Sequence, residues 1–271
     1  MKRGGKISSP EQRLVDLMQE VKATDRWLDN TKLRELISFG SDAVPCLEEI
    51  LRDAIEKRFN PAFKLTPRAQ DNFAIIHALF ILAHLRSEPS LPLILDFLSQ
   101  EPEVLDYWLF DTLLDEIWEV LFALGANHLG QLEAFILNSR SSLLSRLAVC
   151  TALVQIGLCY EGEKQRVAEI FADVLRLEGE DPDFMGLVIS ELMDFNHEAL
   201  QPAILTALAK NDVWSGIISA EEVNESYQYP RVRKLVPVDL FERLKLYTYL
   251  EPPTSVRTLY KTKRRNIEKS L

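Results

Sequence analysis

Little in this chain is suited to catalysis or to holding a cofactor. Cysteine is scarce: Cys46, Cys150 and Cys159 are odd in number, far apart and without a C-x-x-C pair. That excludes a disulfide framework or a thiolate zinc site and leaves free thiols buried among apolar residues as the expectation. Glycine is limited to 10 residues, and none falls in a G-x-x-x-x-G-K, G-x-G-x-x-G or G-x-S-x-G pattern; H-E-x-x-H is absent as well. No phosphate loop, nucleophile elbow or zincin helix is therefore encoded. No apolar run is long enough to span a membrane, and none follows the basic residues of MKRGGKISSPEQ, so neither a membrane span nor a signal peptide is expected and the cytoplasm is the default compartment. Proline is missing from residues 103 to 181, as a long run of helices requires.

What the chain has is helical periodicity. In IIHALFILAHLRSEPSLPLILDFL, residues 75 to 98, the apolar positions Ile75, Leu79 and Leu82, with Ile76 and Ala83 beside them, recur three and four apart. Pro89 stops that helix, Ser90 is placed to cap the next, and Pro92 sits in its first turn, where a missing N–H costs nothing. A break this short folds the two helices antiparallel, with a seam of Leu79, Leu82, Leu93, Ile94 and Phe97. Phe73, His77, Phe80 and His84 make the first helix apolar or aromatic nearly all round, so more than one neighbour must cover it. Stacked pairs provide that cover.

The pattern repeats. LRELISFGSDAVPCLEEILRDAI reads as a pair broken at Gly40, with Ser41 or Asp42 as cap. Residues 111–124 with 129–138, 142–157 with 163–177, and 184–195 with 199–210 make three more, the first of these split by Gly125 and Gly130. The organisation expected is a capping helix within 1–30, an all-α HEAT/armadillo-like α-solenoid of about five stacked antiparallel pairs over 31–227, and a basic, partly irregular extension over 228–271. Only LKLYTYL, residues 244–250, alternates well enough to suggest a strand.

SFGSDAVPCLEEIL and HALFILAHLRSEPSLPLILDFLSQEPE resemble HEAT repeats, with an Ala/Leu-rich first helix and a second entered through A-V-P or L-P. More narrowly, residues 74–225 resemble the bacterial family known as domain of unknown function 1186, through AIIHALFILAHLRSEPSLPLILDFL, LFDTLLDEIWEVLFAL and GIISAEEVNESY. That resemblance implies the fold and supplies no catalytic residues. Some members carry a cysteine-rich metal-binding tail, whereas this chain has no cysteine after Cys159.

Charge is divided along the chain. The net of −10 is the sum of −17 over residues 1–227 and +7 over 228–271. An acidic body repels phosphate, so nucleic acid is not an expected partner. The basic residues Arg257, Lys261, Lys263, Arg264 and Arg265 form a tail that either is a solvated terminus or meets an anion or a membrane surface. On a helix running unbroken from Asp111, the residues Asp111, Asp115, Trp118 and Phe122 fall on one stripe flanked by Trp108 and Glu119. Packed against the next repeat, these aromatics are core with acids at the rim; left open, they form a recognition groove for a basic segment of a partner protein. Asp111 and Asp115, four apart, are the only acid/base pair the stripe offers, and no further catalytic group supports it. His77 and His84 lie two turns apart, too far to share a metal, and read as hydrogen-bonded interface histidines; no metal or cofactor is expected. Two functions follow: an interaction module or scaffold, and, as its rival, an enzyme of lyase or glycosylase type on a HEAT-like scaffold. A deep pocket joining carboxylate, histidine and aromatic groups would favour the enzyme.

Overall fold

The computed structural model describes residues 9–24, 27–59, 69–109, 112–210, 213 and 216–243. Ser9 accepts the Gln12 N–H at 3.2 Å just ahead of Pro10, so a capping hydroxyl and a first-turn proline together start α1 (Pro10–Ala23). Asp29 accepts the N–H groups of Thr31 and Lys32 to start α2 (Asn30–Ser38). Gly40, at φ +54°, then turns the chain through a short 3-10 segment into α3 (Val44–Phe59). Next come α4 (Ala69–His84), α5 (Leu91–Leu98), α6 (Pro102–Leu109), α7 (Thr112–Asp115), α8 (Ile117–Gly125), α9 (Leu129–Ile136) and α10 (Leu143–Cys159). The remainder are α11 (Lys164–Val174), α12 (Pro182–Phe195), α13 (Gln201–Lys210) and α14 (Ala220–Gln228), the last opened by a reciprocal capping box between Ser219 and Glu222. Among the described residues there is no strand, and no single helix is long and apolar enough to cross a membrane.

The helices form an α-solenoid. First members α4, α8, α10 and α12 pack each on the next as a row; α3, α5, α9, α11 and α13 flank it. The pairs α8/α9, α10/α11 and α12/α13 follow one another in chain order, preceded by α2/α3, joined through the 3-10 segment Gly40–Ala43, and by α4/α5, whose second member packs on α3 and α8; α1 covers α4, and α14 covers α12 and α13. Side chains at the corners join consecutive pairs. Ser90 donates to Glu48 at 2.8 Å, Asn127 donates to Glu88 at 2.9 Å with His128 3.0 Å from the same carboxylate, and Arg166 pairs with Glu133. Deeper in, Arg146 is 2% exposed and forks onto Glu180 at 2.9 and 2.6 Å, with its guanidinium 3.6 Å above the Phe184 ring.

The seam expected from the sequence is buried at Leu79, Leu82, Ile94 and Phe97, and Ile117 and Leu121 of α8 are fully buried as well. Leu93 is only half-buried, because the nearest neighbours of α5 are α3 and α8 rather than α4. The side chain of Leu114 lies outside the described residues, as does the segment 244–250. Ser90 does not cap α5; its hydroxyl is taken by Ser87 and Glu48. Gly130 does not split a pair but lies inside α9. Gly157 lies inside α10, where a Cβ would come within 2.7 Å of the Phe195 ring, so this glycine serves the close approach of α10 to α12. Of the three thiols only Cys150 is buried; Cys46 is half-buried, and Cys159, in the last turn of α10, is exposed. The chain also inserts α6 after the second pair, which periodicity did not indicate, and the helix expected over 111–124 is present as two pieces, α7 and α8.

Candidate functional site

Among the described residues no further pair follows α14. Residues 229–239 run without helix or strand back across the first row, from α12 over α10 and α8 toward α4 and α2. The return is pinned at its start by Tyr227, whose hydroxyl donates to the His197 carbonyl at 3.2 Å, and by Asn196, which donates to the Ser226 carbonyl. Burial pushes the Tyr227 phenol up to about 12, so it remains a donor.

Midway, Gln155 projects from α10 and is 2% exposed. Its amide nitrogen donates to the Arg233 carbonyl at 3.1 Å, and its oxygen accepts the Leu235 N–H at 2.8 Å. A primary amide carries one donor edge and one acceptor edge, which is what two backbone groups of an extended chain require. Beside this point Glu191 and Asp194, one turn apart on α12, are both held above the usual carboxylate range, chiefly by burial. Arg233 pulls each of them back.

The far end is the most closely built. Glu119, in the first turn of α8 and 8% exposed, accepts the Val238 N–H at 3.1 Å and pairs with Arg243. Arg243 is fully buried; its second terminal nitrogen is 2.9 Å from Glu116 and its guanidinium carbon lies 3.9 Å from the centre of the Phe80 ring of α4. Burial pushes the Glu119 carboxyl up, opposed by its bond to Arg243. Asp239 organises the turn that delivers the arginine: its carboxylate accepts the Phe241 N–H at 2.9 Å and its carbonyl accepts those of Glu242 and Arg243. Leu240 is buried, one turn before Arg243, and Phe241 lies between Arg34, 4.0 Å above its ring, and the edge of His84.

The acids and aromatics singled out in the sequence are distributed over this region. The helix expected to run from Asp111 is divided at Glu116, whose φ of −137° lies outside the helical range, so no single stripe forms. Asp111 lies outside the described residues, as do Arg257, Lys261, Lys263, Arg264 and Arg265. Asp115 is exposed, and its carbonyl accepts the Trp118 indole N–H at 3.2 Å. Trp118 meets Phe122 edge-on, and Phe122 stacks on Tyr160 of the next pair, so both aromatics pack between repeats while Glu119 turns to the returning chain. Trp108 is elsewhere, buried on α6 beside a depression of about 90 Å³ shared with Lys22, Asp53 and Lys57. His77 is buried and hydrogen-bonded, His84 faces Phe241, and His128 meets Glu88, so the histidines do not converge. Among the described residues no group of three or more His, Cys, Asp or Glu is placed to hold a metal.

Sequence reasoning missed Gln155, Glu116 and Arg243, and named Phe80 only as an aromatic that a neighbour must cover. Only Gln155 carried a local signal, as a lone amide in the apolar run LVQIGL that needed a partner once buried.

No curated protein and no solved structure matches the chain. One family model does, that of a protein of unknown function (DUF1186), over residues 12–238; the match takes in every helix from α1 to α14 and the returning chain as far as Val238. On that match the chain belongs to the DUF1186 family.

Proposed function

We propose that this α-solenoid is a protein–protein interaction module whose first row of helices binds an extended, basic segment of a partner, with residues 229–243 as the resident occupant. The observation that carries the reading is Gln155, which engages the backbone of an extended chain from both edges of its amide. Main-chain contacts of that kind hold a segment irrespective of its side chains, and the acids on either side add a preference for positive charge. The acidic balance of residues 1–227 supports the same partner chemistry and disfavours nucleic acid. An enzymatic reading has less to rest on. The depression beside Trp108, at about 90 Å³, is well below the roughly 300–1,000 Å³ of ordinary ligand pockets, and it joins one carboxylate to two lysines without a histidine.

The test is a crosslinking experiment. A photoreactive residue at Thr151, half-buried on α10 one turn before Gln155, is introduced into the full chain, which is irradiated in its native cells. Mass spectrometry of the adducts should yield extended segments rich in arginine and lysine. Recovery of nucleic acid, or of acidic segments, would overturn the reading.

A further inference from the structure

Resting on that reading, we propose that Phe80, Glu116 and Glu119 form an arginine socket, closed in the resting protein by Arg243 and opened when a partner segment presents an arginine of its own. The socket is a built site, because its occupant is present and its charge is met by two carboxylates, with Nη2 hydrogen-bonded to Glu119 while Nε and Nη1 carry no hydrogen bond. Arg243 is fully buried, bridges two carboxylates with two different nitrogens, and holds its guanidinium carbon over an aromatic ring. Only a guanidinium does all three; an ammonium is a point charge that cannot both fork and stack. Glu116 and Glu119 come from the division between α7 and α8 and Phe80 from α4, so the socket belongs to the stacked pairs, whereas its occupant belongs to the returning chain.

The occupant also defines the ligand. Asp239 starts a helical turn that puts Leu240 and Arg243 on one buried side and Phe241 between Arg34 and His84. Upstream, the chain is extended and read by Gln155 at residues 233 and 235 and by Glu119 at Val238. A competing segment therefore carries an extended stretch followed by an Asp-initiated turn, with an aliphatic residue next, an aromatic after it and arginine four positions after the Asp. Because the resident segment is tethered to α14, its local concentration is high, and a partner competes best once the arginine latch is released. The socket thus sets both what binds and when.

The experiment uses the full chain and a fluorescein-labelled, C-terminally amidated peptide of residues 229–243, followed by fluorescence anisotropy. Arg243→Ala opens the socket and should bind this peptide at least about tenfold more tightly than the unaltered chain does. Replacing the peptide's arginine at position 243 by alanine should weaken binding to the Arg243→Ala protein at least about 30-fold, and replacement by lysine should not restore it. Hydrogen exchange at the Val238 amide, slow in the unaltered chain, should accelerate in Arg243→Ala. If Arg243→Ala does not fold, Arg243→Lys, which keeps the charge and loses the fork, serves for the same comparisons. Equal binding to both proteins with tolerance of the alanine peptide would overturn the socket and leave the segment-binding face standing. A Val238 amide that stays slow would overturn the socket as the latch. An open Val238 amide with no binding of any peptide would overturn both the socket and the interaction reading beneath it.

Discussion

His77 accepts the backbone N–H of Leu28 through Nε2 at 2.9 Å, while its Nδ1–H donates to the Phe73 carbonyl one turn earlier on α4. The ring is fully buried and stacks on Trp27 at 4.5 Å. One neutral tautomer therefore ties the connection between α1 and α2 to the centre of the solenoid, and a second ring proton would displace the Leu28 N–H. Burial lowers the His77 pKa from 6.5 to about 4, with the Phe73 carbonyl opposing that shift.

The sign of the pH effect follows. Between pH 6.5 and about 4 the unfolded chain holds a proton on this histidine that the folded chain does not, so stability is full above 6.5 and falls as the pH drops to about 4. The loss from this one group should reach about 3 kcal/mol. Urea midpoints measured from pH 7.5 to 4.5 should show a decline that His77→Gln, which retains an acceptor without titrating there, makes shallower.

Leu82 is fully buried in α4, and Leu82→Ala should cost about 2–5 kcal/mol. In a solenoid the loss is shared mainly with the adjacent pairs. Hydrogen exchange should accelerate across α3, α4 and α8 and far less in α13; uniform acceleration would mean that the stack unfolds as one unit.

Arg146 and Glu180 form the other closely built ion pair, with side chains 3% and 6% exposed. The arginine Nε also donates to the Ile136 carbonyl at 2.8 Å, so the pair fastens α9 and α10 to the start of α12. Arg146→Met leaves the Glu180 carboxylate buried without its partner and should destabilise by about 3–5 kcal/mol. Adding Glu180→Gln removes that charge, and the double variant should recover part of the loss. Losses that simply add would indicate that the two side chains act independently.

The helices were legible in the sequence because each is recorded within itself. The period of Ile75, Leu79 and Leu82, the early prolines Pro45 and Pro92, and the gap around Gly40 are local features, and they fixed the five pairs in order. Less was legible where local and distant demands conflict. Glu116 breaks a helix that apolar spacing alone would continue, and Gly157 resembles a stop until Phe195 is found packed over it. The candidate site was hardly legible. Arg243 reaches Glu119 across 124 positions and Gln155 reaches Leu235 across 80, through contacts that impose no period on either segment. Charge division set a basic C-terminal region apart from an acidic body, but did not indicate that an arginine of that region enters the body, nor which one or where.

Whether the returning chain opens as one piece decides how a partner can displace it. Gln155→Ala removes the pair of hydrogen bonds at Arg233 and Leu235, whose backbone then turns to water; the cost to overall stability should be only about 1 kcal/mol. Glu119 bears on a different stretch, since its contacts are to Val238 and Arg243. If residues 229–243 form one cooperative unit, Gln155→Ala should speed exchange of the Val238 amide as well as that of Leu235, each by about fivefold. Glu119→Gln should likewise affect both amides. Acceleration confined to Leu235 in the first variant and to Val238 in the second would show two independent clasps, and a partner would then have to release both before it could take the face.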